Sequence, residues 1–294
     1  MRCNELDRVI RKECPVCGSE DTFSVTQKRG TVLSEFFTIN RCKKCTCVFV
    51  VDPIDPKHLD EIYNTEYFSG DGMDDSVNYV ENIDRQNYFF EKYDYQIGSE
   101  LEQYDLKPGL KWLDLGCALG NVLDWASDRY SARTYGIELS EFARKKAQSR
   151  GHQIIGATIE DVTKEYRGFF DIITCYEVLE HLYEPNKIIE SVEYMLKDGG
   201  VFHYSTGAPP KNHRINKWQY LRPEVHITFY SPKCIAELFT RNNLTPVPRQ
   251  YIPVNRKFQY YKPSWKGKIK LHLPGFLVRV LRQMQPDAVK GKKF

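Results

Sequence analysis

Four cysteines near the start of the chain have the spacing of a metal centre. Cys14-Pro-Val-Cys17 and Cys42-Lys-Lys-Cys45 form two C-x-x-C turns that are separated by 24 residues. Each turn directs two thiolates towards one point, and two such turns complete a tetrahedral sulfur set that suits Zn²⁺. Four thiolates leave no open coordination position, so we predict that this zinc is structural. The predicted metal ligands are Cys14, Cys17, Cys42 and Cys45.

A second candidate site begins at a glycine-rich turn. Trp112-Leu-Asp114-Leu-Gly116-Cys-Ala-Leu-Gly120 is typical of a strand that enters a tight turn and then a helix, which is where doubly wound sheets bind nucleotides. Its glycines lack the G-x-G-x-x-G spacing that admits a pyrophosphate. Glu138 comes 24 residues after Asp114, where an acidic residue can accept hydrogen bonds from both ribose hydroxyls. The pattern suits a nucleoside ligand without phosphates, such as S-adenosylmethionine (AdoMet).

Carboxylates and an imidazole follow the next predicted strand of this region. Glu177-Val-Leu-Glu180-His181 is expected to start a helix, with Glu177 and Glu180 on one face and His181 beside them. Three interpretations stay open. His181 is a general base, the three residues bind Mg²⁺, or Glu180 and His181 only make structural hydrogen bonds at the helix start. His226, in the loop before Phe229, is a second candidate near the acceptor.

The elements that must position these residues follow a βαβ pattern between residues 106 and 210. The expected strands are Lys111–Leu115, Thr134–Ile137, Gln153–Ile155, Phe170–Tyr176 and Val201–Ser205. The expected helices are Val122–Asp128, Glu141–Ser149 and Pro185–Leu196, with a further helix from Ser231-Pro232 and helical patches within Tyr79–Ile97. Parallel strands bring their carboxyl ends to one edge of the sheet, so the candidate residues should meet there.

Taken together, these motifs resemble class I AdoMet-dependent methyltransferases over roughly residues 14–245. The resemblance rests on Asp114–Gly120, Glu138, Gly156–Asp161 and Phe170–Pro185. It is nearest to the bacterial zinc-ribbon type found with glycan or natural-product biosynthesis, and Glu177–His181 is similar to a run in ubiquinone-pathway O-methyltransferases. It implies an α/β fold with a Rossmann-like, seven-stranded, doubly wound sheet, preceded by a small zinc-ribbon module. Ala118 departs from the glycine that is usual there.

The resemblance also implies where AdoMet binds. The methionine end would lie at the glycine turn, the ribose at Glu138 and the adenine beside the residues that end the third strand. The implied cofactor-binding residues are Asp114, Gly116, Cys117, Ala118, Gly120, Glu138, Ile159, Glu160, Tyr176 and Glu177. The candidate catalytic residues are Glu180, His181 and His226. The implied domains are a zinc ribbon (1–52), a helical linker or lid (53–105), the methyltransferase domain (106–252) and a basic tail (253–294).

A small-molecule, sugar or glycan acceptor methylated at oxygen is the leading interpretation, with carbon and nitrogen open. Cys175-Tyr-Glu-Val stands where methyltransferases of nucleic-acid amino groups carry a Pro-Pro-Tyr-type run for a flipped base, which argues against nucleic acid. Two alternatives are kept. The first is an RNA methyltransferase that binds through the ribbon and the basic tail, and the second is an inactive binding scaffold.

Charge and hydropathy bound the remaining possibilities. The net charge is +3, but it is unevenly distributed, because the tail, residues 256–294, contains eleven Lys or Arg and one acid. Such a tail suggests an anionic partner or contact with a membrane surface, and Pro274–Met284 could form an amphipathic helix. The mean hydropathy is −0.54, and no apolar run reaches the ~20 residues of a spanning helix. We therefore expect a cytoplasmic protein.

Overall fold

The computed structural model of the chain describes residues 6–73, 78–80, 86–101, 104, 106–210, 213–247 and 276–282. No helix within these ranges is long and apolar enough to cross a membrane. The strands are β1 (Thr22–Arg29), β2 (Phe36–Cys42), β3 (Val48–Val50), β4 (Lys111–Leu115), β5 (Arg133–Ile137), β6 (Gln153–Gly156), β7 (Phe170–Tyr176), β8 (Leu196–Thr206), β9 (Thr228–Phe229), β10 (Leu244–Val247) and β11 (Phe276–Arg282). The α-helices are α1 (Leu59–Ile62), α2 (Thr65–Ser69), α3 (Gln86–Tyr93), α4 (Ser99–Leu101), α5 (Asn121–Tyr130), α6 (Glu141–Ser149), α7 (Pro185–Met195) and α8 (Pro232–Arg241).

The larger sheet has seven strands in the order β10-β11-β8-β7-β4-β5-β6. The five strands β8, β7, β4, β5 and β6 are parallel, and β11 is antiparallel to both of its neighbours. Strand order reverses between β4 and β7, which is where a doubly wound sheet opens a crevice for a ligand. The expected doubly wound α/β sheet with seven strands is confirmed.

The central strands of this sheet are apolar on both faces because helices cover both. Trp112 and Leu113 in β4 and Ile172 and Ile173 in β7 are fully buried. Trp112 packs with Trp125 of α5 in one hydrophobic cluster, whereas Leu113 packs with Ile189 of α7 in another. These near-continuous apolar runs are what made the strands predictable from sequence.

The N-terminal residues form a second, antiparallel sheet in the order β1-β2-β3-β9. Its fourth strand comes from a much later part of the sequence, since Val48 pairs with Phe229 and Phe49 with Thr228. The sheet of the predicted N-terminal module therefore includes a strand from the segment that follows the parallel strands. The domain limits inferred from sequence stay a prediction.

Two local expectations were wrong, and a third holds in part. Glu177–His181 does not begin a helix, because Glu177 has φ +54°, a short 3₁₀ turn covers Leu179–His181, and α7 begins at Pro185. Of the helical patches expected within Tyr79–Ile97, α3 and a π-helical turn over Asp94–Gly98 are present, whereas Tyr79 lies in a turn and residues 81–85 lie outside the described ranges. Within Pro274–Met284, the expected amphipathic helix is instead strand β11, which lies between β8 and β10.

Candidate functional site

The four predicted metal ligands come together in one cluster. Their sulfur atoms lie within 4.8 Å of one another, and the Cys14–Cys45 and Cys17–Cys42 sulfurs are each 3.5 Å apart. A tetrahedron with metal–sulfur bonds of about 2.3 Å has edges of about 3.8 Å, so the cluster fits zinc. The hydrogen bond from Cys45 lowers the pKa of Cys14 to about 6, and the same bond raises the pKa of Cys45.

The two cysteine turns share the same backbone geometry. Gly18 donates its amide to the Cys14 carbonyl at 2.9 Å, and Thr46 donates to the Cys42 carbonyl at 3.0 Å. Each donor lies four residues after the first cysteine and has a left-handed backbone, with φ +67° at Gly18 and +65° at Thr46. The second turn adopts this conformation without a glycine.

The glycine turn after β4 leaves no room for a side chain at Gly116 or Gly120. Gly116 and Gly120 have φ of +67° and +89°. A Cβ atom at Gly116 would lie 2.5 Å from Cγ2 of Val178, and one at Gly120 would lie 2.7 Å from Cδ2 of His152. Ala118 also has a positive φ, +47°, so the alanine sits in a conformation that glycine adopts more easily.

Two buried carboxylates flank this turn. The Glu138 carboxylate accepts hydrogen bonds from the Ala118 amide at 2.9 Å and the Ser140 amide at 2.8 Å. Asp114 accepts a hydrogen bond from the Thr174 hydroxyl at 2.6 Å, and burial raises its pKa to about 7. Burial also raises the pKa of Glu138.

Support from behind the turn was not anticipated from the sequence. Arg150, just after α6, donates to the Leu119 carbonyl at 2.6 Å and forms an ion pair with Asp124. His152 bonds to the same Asp124 carboxylate at 2.8 Å and to the Thr134 hydroxyl at 2.9 Å. These residues hold the turn against α5, but neither residue type nor spacing marks them in the sequence.

The remaining predicted cofactor residues also lie at the carboxyl edge of the parallel strands. Ile159 is buried and Glu160 exposed in the loop after β6. Tyr176 ends β7, and its hydroxyl contacts Nδ1 of the buried His203. The exposed Glu177 accepts a hydrogen bond from the Ser205 hydroxyl at 2.7 Å. The structure thus brings all four strand ends of the predicted AdoMet site to one edge.

Glu180 lies at the centre of a second polar cluster beside this edge. It is fully buried and accepts a hydrogen bond from the Thr206 hydroxyl at 2.9 Å. The Tyr220 hydroxyl contacts the Glu180 carboxylate and donates to Glu177 at 2.7 Å. Burial, with the nearby charge of Glu177, raises the pKa of Glu180.

Two histidines complete this polar cluster. Nδ1 of His181 is 2.9 Å from both the Tyr63 hydroxyl and the Val225 carbonyl. Nδ1 of His226 is 2.7 Å from the Tyr220 carbonyl, and the two imidazole centroids are 4.8 Å apart. A carbonyl only accepts, so both Nδ1 atoms carry hydrogen, and in a neutral ring the lone pair is then on Nε2. Burial lowers the pKa of His226, which keeps this ring neutral.

Comparison with known proteins identifies the class. A family model described as a methyltransferase domain matches residues 85–248, which is more than half of the chain. The chain therefore belongs to this family and is a class I AdoMet-dependent methyltransferase. The enzyme class, the fold and AdoMet as cofactor, all predicted from the sequence, are confirmed.

Two curated relatives match about a third of the chain. The ubiquinone biosynthesis O-methyltransferase of Actinobacillus pleuropneumoniae is 40% identical over 108 residues, 33% of this chain and 46% of that protein. The Vibrio parahaemolyticus protein of the same name is 36% identical over 112 residues, 36% of this chain and 47% of that protein. The chain thus spans about half the length of these relatives.

One solved structure shares the fold over most of its own length. It is a chain from the complex between the Haloferax volcanii Trm112 methyltransferase activator and a methyltransferase. The TM-score is 0.51 and the identity 16%, over 68% of this chain and 95% of that chain.

Proposed function

We propose that this enzyme transfers the methyl group of AdoMet to a hydroxyl oxygen of a small-molecule acceptor, with a sugar or glycan unit as the leading candidate. The observation that carries the proposal is the position of His181. Its ring is held between Tyr63 and Val225 and lies beside Glu180 and His226, next to the strand ends of the proposed AdoMet site. The O-methyltransferase names of the relatives support oxygen as the acceptor atom.

The first half of the proposed site binds the cofactor. AdoMet supplies an electrophilic methyl group on a sulfonium sulfur. The protein has to hold this group in line with the acceptor atom, and such positioning accounts for much of the rate. Glu138 would accept hydrogen bonds from the ribose hydroxyls. The methionine end would bind at the turn around Gly116 and Gly120. Tyr176 and Glu177 would border that end, and Ile159 and Glu160 the adenine.

The second half of the proposed site handles the acceptor. A hydroxyl must lose its proton as the new carbon–oxygen bond forms, and a neutral imidazole is suited to accept it. Because Nδ1 of His181 faces the Val225 carbonyl, the lone pair is on Nε2, the form a general base requires. His226 has the same tautomer through the Tyr220 carbonyl and would be the second candidate base.

A divalent cation is the second candidate for this cluster. Glu180, His181 and His226 each offer one ligand atom, and these atoms lie within 4.8 Å of one another. The sequence suggested Mg²⁺ with Glu177 as a ligand, but the group of ligand atoms that lie within 4.8 Å of one another consists of Glu180, His181 and His226, without Glu177. Two imidazoles and one carboxylate suit a metal such as Zn²⁺ or Mn²⁺ better than Mg²⁺, which prefers oxygen ligands. A bound cation would lower the pKa of the acceptor hydroxyl. Without a cation, His181 would take the hydroxyl proton as a general base.

Aromatic rings beside the cluster support a ring-shaped acceptor. The Trp218 and Tyr220 rings are 5.2 Å apart, and the Tyr220 ring is 4.5 Å from the His226 ring. Tyr63 and Tyr67 also pack edge to face, at 4.9 Å, and Tyr63 is in edge contact with the His181 ring. Such rings can stack on a sugar or a phenol.

The direct test measures S-adenosylhomocysteine release from the purified, zinc-loaded enzyme against a panel of nucleotide sugars, glycans and phenols. Turnover with a hydroxyl acceptor, lost in His181→Ala while AdoMet affinity is kept, is the expected result. Turnover that needs added Mn²⁺ or Mg²⁺ would favour the cation over the base. AdoMet binding without turnover on any acceptor would point to the inactive scaffold, and methylation of RNA alone would establish the RNA alternative.

A further inference from the structure

The segment that carries the acceptor-side residues takes its hydrophobic support from the ribbon. We call residues 213–229 the acceptor segment, because they include Tyr220, Val225 and His226. Its buried apolar side chains belong to the same hydrophobic cluster as those of the N-terminal sheet. The ribbon members are Leu33, Phe37, Ile39, Val48 and Val50, those of the residues that follow the ribbon are Ile54 and Ile62, and the segment's own members are Ile215, Leu221, Val225, Ile227 and Phe229.

Backbone hydrogen bonds connect the ribbon directly to Glu180 through this segment. Strand β9 within the segment pairs with β3 of the ribbon. Next to it, the Val50 amide donates to the Ile227 carbonyl at 2.9 Å, and the Ile227 amide donates to the Glu180 carbonyl at 2.8 Å. Ile227 therefore bridges the ribbon and the 3₁₀ turn that carries Glu180 and His181.

A buried carboxylate fastens the middle of the segment to the ribbon. Glu224 is 1% exposed and accepts hydrogen bonds from the backbone amides of Val32 at 2.9 Å and Leu33 at 3.3 Å. Both donors are in the hairpin between β1 and β2. A hydrogen bond to a charged acceptor is stronger than one between neutral groups, and a buried donor left without it is destabilised. The next residue after Glu224 is Val225, whose carbonyl orients His181.

The cysteine turns are in turn docked on helices of the methyltransferase fold. Lys233 donates to the Lys44 carbonyl in the second turn at 2.9 Å. Arg241 donates to the Val16 carbonyl in the first turn, also at 2.9 Å. Cys234, in the first turn of α8, is buried against Cys45. Strand β9 and α8 are separated only by Tyr230 and Ser231, so the cysteine cluster lies against the end of the acceptor segment.

The glycine turn of the cofactor half has further supports outside the ribbon, although Leu115, Ile137 and Ile159 share one large hydrophobic cluster with the buried cysteines. The amides of Gly116 and Cys117 donate to the Ile137 carbonyl at 2.8 and 3.1 Å, and Arg150 holds Leu119. Cys117 and Leu119 pack in hydrophobic clusters whose members come from the methyltransferase fold and its preceding helices, not from the ribbon sheet.

We propose that the four-cysteine ribbon is the structural base of the acceptor half of the active site. Metal binding at Cys14, Cys17, Cys42 and Cys45 holds the acceptor segment against Glu180 and His181 and affects the glycine turn of the AdoMet half far less. The naming of this half as the acceptor side rests on the proposed function. The mechanical link between the cysteines and residues 213–229 does not.

The first test compares backbone amide exchange in the zinc-loaded full chain and in the same chain after removal of zinc with a chelator. We expect exchange within residues 213–229 to rise by about tenfold or more, since local opening needs only that segment to lose its support. Exchange within residues 111–120 and 133–138 and the calorimetric affinity for AdoMet should change by less than about threefold. Unchanged exchange in 213–229, or an equal rise in both regions, would overturn the proposal.

The second test leaves the cysteines intact. Glu224→Ala should retain its zinc and its AdoMet affinity but raise exchange in 213–229, whereas Glu224→Gln, which keeps an acceptor oxygen, should lie between it and the wild type. Glu20→Ala, an exposed acid of the ribbon, is the matched control and should behave as the wild type. Glu224→Ala with wild-type exchange would also reject the link. If exchange responds as expected but no hydroxyl acceptor is ever found, only the proposed function fails.

Discussion

The Ala118 amide donates a hydrogen bond of 2.9 Å to the Glu138 carboxylate. The other oxygen of the same carboxylate accepts from the Ser140 amide at 2.8 Å. Glu138 thus joins the turn after β4 to the start of α6, and its two oxygens are oriented by backbone donors before a ligand binds. This arrangement makes Glu138 the most specific candidate for the ribose of AdoMet.

Glu138→Gln is therefore expected to weaken AdoMet binding by about tenfold or more, because one carboxylate oxygen becomes an amide that cannot accept. Titration calorimetry of AdoMet measures this directly. Glu141→Gln is the matched control, since Glu141 is exposed three residues away and pairs only with Lys145. Equal affinities in the two variants would remove Glu138 from the cofactor site.

At the glycine turn, the cost of backbone strain can be measured separately from the cost of a steric clash. Gly116→Ala adds a left-handed alanine, which costs about 1–2 kcal/mol, and also places Cβ 2.5 Å from Val178. Gly109→Ala has a similar φ, +81°, with no atom within 4 Å, so it should cost the strain alone. We expect the Gly116 variant to lose more stability in urea unfolding. Adding Val178→Ala should restore part of that loss, and no restoration would mean that the turn and Val178 are not in contact.

Ala118 allows the converse experiment. Ala118→Gly relieves a φ of +47° but increases the freedom of the unfolded chain, so a small net gain, up to about 1 kcal/mol, is expected. Its melting temperature should be equal to or above that of the wild type. A clear loss of stability would show that the alanine methyl group makes a packing contact that outweighs the strain.

The strands and the metal ligands were the parts most accessible from sequence. Lys111–Leu115 and Phe170–Tyr176 were predicted to the residue, because each is an apolar run bounded by turn residues or charges. The cysteine cluster followed from spacing alone, since two C-x-x-C turns have few ways to satisfy four thiolates. Glu138 followed from the length of one βαβ unit.

What escaped prediction depends on tertiary contacts. A two-residue strand such as β9 has no periodicity of its own and exists only because β3 lies beside it. No helix begins at Glu177, whose amide instead bonds to the Ser205 carbonyl of the neighbouring strand at 3.1 Å. Arg150 and His152 support the glycine turn from a loop that carries no motif.

Asp114 predicts a pH dependence of stability. Burial raises its pKa from 3.8 to about 7, so between these values the folded protein holds a proton that the unfolded chain has released. The stabilising contribution is complete below about pH 4 and is lost as the pH rises through about 7, by at most about 4 kcal/mol. Asp114→Asn removes this titration. Urea unfolding from pH 5 to about pH 8 should show the wild type losing stability relative to the variant, whereas parallel curves would contradict the assignment.

The last prediction concerns the contact of 2.9 Å between the Tyr63 hydroxyl and Nδ1 of His181. If His181 is the general base, His181→Ala should lower kcat by about 100-fold or more with little change in AdoMet affinity. Tyr63→Phe removes only one of the two groups at Nδ1 and leaves the Val225 carbonyl, so kcat should fall by about tenfold or less. Because Tyr63 acts through His181, the double variant should be no slower than His181→Ala alone. Losses that simply multiply would separate the two residues, and a His181 variant with full turnover would leave His181 with a structural role only.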